Sequence, residues 1–316
     1  MKALIALALL VASAVPAAAQ TDFPNKRVTL VVSASPGGGL DATARLLSER
    51  MAKAWGQPVI VENQGGADGL IATQRVATGP ADGYTMLLQI PSLLLLKHNT
   101  HDPGFDPVAS LAPVSELGRT PSVVAVNARS GIKTVQELVA WCNQSERPCS
   151  WGSGQQLSYL YGKRVFALSG IRETVNVNYK GTGPVVNDLL GNHITIGMTS
   201  IAAPLAFHQQ GTLRILAVNA EKRVPQIPEV PTFHEAGLQM PARGSWYGLF
   251  VPAKTPPEVI AKIEKVVVGL ANDPAAQEVM RNIGAEPVFG PSREFAAGIR
   301  EDAAFLDSLV QQYPLK

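Results

Sequence analysis

Residues 28–34 (VTLVVSA) form a strand-length apolar run that passes straight into Ser35-Pro36-Gly37-Gly38-Gly39-Leu40-Asp41. This junction constrains the fold more than any other segment. An apolar run without alternation predicts a strand covered on both faces, as in parallel sheets flanked by helices. Beyond it Ala44, Leu47, Met51 and Trp55 recur at helical spacing, with Asp41 placed as the N-cap and Gly56 as the stop. Further strands are expected at 58–62, 84–89, 122–127, 173–178, 193–198, 213–219 and 246–251, with a short strand after Cys149. Helices are expected at 69–77, 156–168 and 184–190, over most of 257–309, and from the capping-box pair Thr134 and Glu137 through Trp141. Repeated β–α units predict an α/β fold with mostly parallel sheets. A chain of 316 residues suits two α/β domains. The expected connections lie near 117–121 and 219–231, the second stiffened by Pro225, Pro228 and Pro231. The expected division is residues 21–120 with 225–316 against 121–224. Ligands of open α/β sheets bind beyond the carboxyl ends of the strands, so a cleft between the two domains is the natural site.

Charge and composition narrow the function classes. The 27 Lys and Arg residues against 25 Asp and Glu leave a net charge of +2. That surplus is too small for counterion-driven nucleic-acid binding, and no basic stripe supplements it. With 46% apolar and 16% charged residues, the chain can bury a large core, which excludes global disorder. Residues 1–20 carry one charge, Lys2, then an unbroken apolar run and the small residues Ala17-Ala18-Ala19. This is the pattern of a secretory signal peptide, and the run is shorter than the ~20 apolar residues of a membrane span. Export to the periplasm is therefore expected. The two cysteines, Cys142 and Cys149, flank a polar turn; an oxidising compartment favours their pairing, with two free thiols as the alternative.

Three turns are candidates for ligand contact. The glycines at 37, 38 and 39, with Ser33, Ser35 and Asp41, let a backbone approach a ligand, and a helix N-terminus behind them offers unpaired N–H groups to a carboxylate or phosphate. The turn lacks both the Gly-Lys-Ser/Thr of a P-loop and G-x-G-x-x-G spacing, and an ordinary tight βα turn is the competing reading. Trp151-Gly152-Ser153-Gly154-Gln155-Gln156 also lies between a short strand and a helix. Tyr179-Lys180-Gly181-Thr182-Gly183-Pro184 is the third; Lys180 either neutralises an anion or simply solvates the surface.

Catalytic signatures are poor. There is no G-x-S-x-G or H-E-x-x-H, and the S-x-x-K match at Ser130 and Lys133 has no K-T-G partner. His98, His101, Asp102 and Asp106 read as a polar loop rather than a metal site. No enzyme, metal or cofactor is expected.

From about residue 23 to its end the chain resembles the periplasmic solute-binding receptors of tripartite tricarboxylate transporters, the Bug receptors. The resemblance rests on an ordered series: Phe23-Pro24-Asn25-Lys26-Arg27-Val28, Pro36-Gly37-Gly38-Gly39 with Asp41 and Ala44-Arg45, Val61-Glu62-Asn63, and Asp82-Gly83-Tyr84-Thr85. It continues through Tyr179-Lys180-Gly181, Gly183-Pro184, Asp188-Leu189-Leu190-Gly191, Leu216-Ala217-Val218, Pro228-Glu229-Val230-Pro231-Thr232 and Glu235-Ala236-Gly237, ending in Trp246-Tyr247-Gly248-Leu249-Phe250 and Pro252-Ala253. It implies a type II periplasmic-binding-protein fold that closes on a small organic acid and docks on membrane permease subunits, and the receptor is expected to act as a monomer. It also implies that the carboxylate is held by backbone N–H groups at 33–39, by Ser153, Gln155 and Gln156, and by the turn of Tyr179, Lys180 and Gly181.

Two positions depart from the family pattern. Leu40 stands where a Thr is usual, and Thr199-Ser200 where many relatives carry Asp-Asn. Losing the carboxylate at Thr199 favours a plain mono- or dicarboxylate over an amino acid. Trp151 either stacks an aromatic acid or packs in the core. An exported α/β hydrolase, or a receptor serving a signalling partner, are the alternatives.

Overall fold

A computed structural model describes residues 23–98, 104–242 and 244–315. The expected signal peptide, His101 and Asp102 lie outside them. In chain order the elements are β1 (Val28–Val32), α1 (Gly39–Trp55), β2 (Val59–Asn63), α2 (Leu70–Ala77), β3 (Thr85–Gln89), α3 (Ser92–Leu95), β4 (Leu111–Thr120), β5 (Ser122–Asn127), α4 (Val135–Gln144), β6 (Cys149–Ser153), α5 (Gln156–Ser169), β7 (Thr174–Asn178), α6 (Thr182–Leu190), β8 (Ile196–Ser200), α7 (Leu205–Gln209), β9 (Leu213–Val218), β10 (Ser245–Pro252), α8 (Pro257–Gly269), α9 (Pro274–Asn282), β11 (Glu286–Pro291) and α10 (Ser292–Gln312).

They build two sheets, one in the order β11-β4-β10-β3-β1-β2 and one in the order β7-β6-β8-β5-β9. Both are mixed, which corrects the expectation of mostly parallel sheets. Only β1 with β2 and β3, and β6 with β7 and β8, pair in parallel. The strands beside the crossings, β4, β5 and β10, run antiparallel to their neighbours, because a chain that leaves one sheet and returns re-enters each sheet in the opposite sense. Strand composition follows position. Every residue of β1 and β10 is buried, as central strands require, while β7 (TVNVN) is a half-exposed edge and β11 carries Pro287 and Pro291 at the other edge.

The first crossing is confined to Pro121, since β4 ends at Thr120 and β5 begins at Ser122. The second lies further along the chain than expected. Val224, Ile227 and Val230 pack with Ile215 and Val218 of β9, and Val218 bridges Thr232, so the proline strap lies on the smaller sheet. The chain rejoins the larger sheet only at Ser245.

One apolar cluster joins the sheets behind the cleft. It runs from Leu87, Phe250 and Phe295 of the larger half to Leu157, Leu160 and Phe166 of α5. There Tyr161 faces Phe305 of α10 at 6.3 Å between ring centroids and donates its hydroxyl to the Gly244 carbonyl. Trp151 belongs to this core: it is fully buried, stacks on Tyr159 and meets Phe166 edge-on. A stacking role toward a ligand is thereby excluded. Cys142 and Cys149 are joined in a disulfide that ties the end of α4 to the start of β6. Among the described residues no helix is long and apolar enough to cross a membrane.

Candidate functional site

The turn after β1 is built to leave amides free. Gly37 takes a φ of +88°, open to glycine, and Gly38 caps α1 with no side-chain bond. Asp41 is therefore not the N-cap. It sits in the first turn, 4% exposed, and its Oδ2 accepts the Gly37 N–H at 3.0 Å and the Arg45 Nε–H at 3.0 Å. Burial pushes its carboxyl up, but the Gly37 amide, Arg45 and Asn63 outweigh that and hold it below the ordinary range. The chain folds this way because a first-turn carboxylate reaches back to an orphan N–H ahead of the helix. Gly38 and Gly39 remain with N–H groups that meet no acceptor among the described residues. A Cβ on Gly39 would stand 2.3 Å from the Tyr247 hydroxyl, so the α carbon of Gly39 packs against the side chain of Tyr247 on β10.

Ser33 plays a different part from the one expected. Its N–H donates to the Leu88 carbonyl and its hydroxyl to Gln89 Oε1 at 2.6 Å. Both donors are thus spent inside the protein. Gln89 is fully buried and also accepts the Ile90 N–H and donates to Thr73, which fixes the floor of the turn. Ser35 is exposed at the rim.

On the smaller sheet, the turns after β6 and β7 are stitched together. Tyr179 N–H donates to the Ser153 carbonyl and Gly181 N–H to the Gly154 carbonyl. Tyr179 is further committed: its hydroxyl donates to Asp188 at 2.5 Å, and burial together with that carboxylate raises its pKa to about 12. Tyr179 and Gly181 therefore buttress the turn and offer no donor of their own. Ser153 is fully buried and its Oγ accepts from Asn176. Gln155 occupies the N-cap of α5 without a side-chain cap bond. Lys180 is exposed and carries no ion pair among the described residues. Thr199 is fully buried one residue beyond Met198, which pairs with Ser153, and its hydroxyl has no partner. Thr120 joins Ser200 at 3.1 Å, linking β4 of the larger sheet to β8.

One partly buried carboxyl near these turns was not singled out in the sequence. Asp68, in the turn after β2, has a φ of 53° within a run of left-handed residues from Gly66 to Gly69. Burial pushes its carboxyl up, and the nearby Gln156 backbone at the start of α5 only partly opposes that. The signal in the sequence is Gly65-Gly66-Ala67-Asp68-Gly69, a second glycine-rich turn between a strand and a helix.

The remaining sequence candidates lie elsewhere. His98 pairs with Asp307 at 2.7 Å, Asp106 caps the N–H groups of Val108 and Ala109, and Ser130 donates to the Asn127 carbonyl. No cluster among the described residues is arranged to hold a metal.

Comparison with known proteins fits this architecture. Residues 43–315 match the family model described as the tripartite tricarboxylate transporter family receptor. A UPF0065 protein of Bordetella bronchiseptica is 33% identical over the whole of this chain and 94% of its own. Protein BugT of Bordetella pertussis is 31% identical, over 87% of this chain and 85% of its own. Among solved structures, the R. palustris protein Rpa4515 with adipate is 28% identical, covers 92% of this chain and 97% of its own, and superposes with a TM-score of 0.85. The periplasmic binding protein BugD is 28% identical, with 92% and 98% covered and a TM-score of 0.81. MatC from Rhodopseudomonas palustris with bound malate is 26% identical, with 91% and 100% covered and a TM-score of 0.78. The chain belongs to the receptor family of tripartite tricarboxylate transporters, solute-binding proteins of the Bug type and not enzymes.

Proposed function

We propose that this chain captures a small organic carboxylate in the cleft between its two sheets and delivers it to the membrane permease of a tripartite transporter. The observation that carries the reading is the glycine-rich turn between β1 and α1, whose Gly38 and Gly39 amides meet no acceptor among the described residues at the N-terminus of a 17-residue helix. Backbone N–H groups and a positive helix end favour an anion without fixing the rest of the molecule. The relatives solved with adipate and malate bind acids of this size. Gly38, Gly39 and Gln156 are the proposed donors. Ser33, Asp41, Ser153, Tyr179 and Gly181 hold the turns in place, and Ser35, Gln155, Lys180 and Thr199 border the cleft.

In this reading residues 1–20 direct export to the periplasm, where the protein acts as a monomer. The first domain holds residues 21–120 and the C-terminal part, and the second begins at 121. Because the proline strap packs on the smaller sheet, the return boundary belongs near Gly244 rather than at 225. Closure about these two crossings would present one surface to the permease.

The test is a thermal-shift screen of the chain from residue 21 against mono-, di- and tricarboxylates, aromatic acids and amino acids. An acid at 100 times its dissociation constant adds about 2.7 kcal/mol of stability. A selective shift, with the acid recovered unaltered, is expected. Silence across every acid, from protein freed of carried-over ligand, would overturn the reading.

A further inference from the structure

We propose that Tyr247 is a ligand-contacting residue, whose buried hydroxyl donates a hydrogen bond to the same carboxylate that occupies the Gly38 and Gly39 amides. The inference rests on the receptor reading above and deepens it, because it adds a side-chain donor from β10 to a turn otherwise read through its backbone.

The first observation is place. A Cβ built on Gly39 would stand 2.3 Å from the Tyr247 hydroxyl, 3.1 Å from Cζ and 3.6 Å from Cε2, so the tip of the ring points at the first residue of α1. Strand register agrees. Ser245 pairs with Thr120, and Tyr247, two residues on, projects from the same face of the larger sheet as Thr120. The second observation is bonding. Tyr247 is 5% exposed, and no described residue accepts its proton within hydrogen-bond distance. Thr120, on the same face, is already joined to Ser200 at 3.1 Å.

A buried hydroxyl with its proton unused costs stability, and the open N–H groups of the helix end beside it carry the same deficit. One anion at the α1 terminus answers both. A carboxylate has two oxygens and about four lone-pair directions, enough for two amides and a phenol together. Bonds to a charged acceptor are also the stronger kind. Burial raises the Tyr247 phenol to about 12, so it keeps its proton at neutral pH and serves as a donor.

The test is calorimetric titration of adipate, malate and hexanoate into the wild type and Tyr247→Phe, with thermal melts of both proteins free of ligand. The expected result is that the acids bound by the wild type lose about tenfold or more in affinity, while the ligand-free melting temperature is unchanged or higher, because Phe removes a hydroxyl that bonds nothing inside the protein. A structural tyrosine gives the reverse pattern. Affinity held within about twofold, or a ligand-free melting temperature lowered by Tyr247→Phe, would overturn the proposal. A second pair of variants tests the placement without any ligand. Gly39→Ala drives a methyl into the hydroxyl, and Tyr247→Phe relieves that clash, leaving Cζ at 3.1 Å as the nearest atom. The stability loss from Gly39→Ala should therefore be smaller in the Phe background, and an equal loss in both would overturn the juxtaposition. Acids that bind the wild type and Tyr247→Phe alike sink this proposal alone. A wild type that binds none of the three sinks the receptor reading with it.

Discussion

A single methyl group on Gly154 should unstitch the smaller sheet's half of the cleft. A Cβ there would lie 2.3 Å from the Gly181 carbonyl oxygen, 2.4 Å from its carbon and 2.8 Å from the Thr182 nitrogen. All three are backbone atoms, so no side chain can swing aside. Relief requires the two turns to separate, which breaks the Gly181 N–H to Gly154 carbonyl bond at 3.0 Å. Overpacking of this kind costs about 1–3 kcal/mol. A lost hydrogen bond adds about 1 kcal/mol. The sum is roughly 2–4 kcal/mol. For a chain of this length it corresponds to a melting temperature lower by roughly 3–6 °C. The matched control is Gly183→Ala. Its Cβ meets nothing within 4 Å in the first turn of α6, so it should raise stability by about 0.4–1 kcal/mol. Thermal melts of both variants, with carboxylate titration of each, check the argument. Gly154→Ala should melt low and bind weakly, because Gln156 follows directly from the displaced turn. A Gly154→Ala protein that melts with the wild type and binds as well would refute the close approach of the turns and their role in presenting α5.

Three further outcomes are expected. Gln89→Ala strands the Ser33 hydroxyl and the Ile90 N–H and removes the bond that the Thr73 hydroxyl accepts, so chemical denaturation should show a loss of about 2–4 kcal/mol, with carboxylate binding weakened as the floor loosens. Replacing Cys142 and Cys149 with Ser opens a loop whose ends are 7 residues apart, and loop entropy predicts a loss of about 2–3 kcal/mol, matched by adding reductant to the wild type. Asp41 has its folded pKa held below the ordinary 3.8, so its stabilising effect is complete above that value and disappears as pH falls through the lowered one. Melting curves of wild type and Asp41→Asn should therefore differ at neutral pH and converge in strong acid; a constant gap would contradict the assignment.

The central part of the site was legible because it is local. An apolar run ending in Pro36 and three glycines dictates a buried strand and a helix entered through free amides, whatever surrounds it. The capping pair at 134 was similarly local, with Thr134 accepting the Glu137 N–H at 3.1 Å. What stayed hidden depends on tertiary partners. Residues 111–120 (LAPVSELGRT) mix Pro, Gly and charge, and the only element read there is a connection near 117–121. They become β4 because β10 and β11 pair on either side and Arg119 neutralises the buried Glu116. The partial burial of Asp68 stayed hidden because its left-handed backbone is settled by packing. The hydroxyls of Ser33 and Tyr179 are already bonded to Gln89 and Asp188, which composition does not reveal.

The most direct test of the carboxylate cleft is a crystal structure of the chain with the acid that shifts its melting temperature most. The account predicts a carboxylate whose oxygens lie within ~3.2 Å of the Gly38 or Gly39 amides, between α1 and α5. An acid bound elsewhere, such as the ~200 Å³ hollow lined by Arg129, Trp141 and His193, with the Gly38 and Gly39 amides still unused, would contradict it.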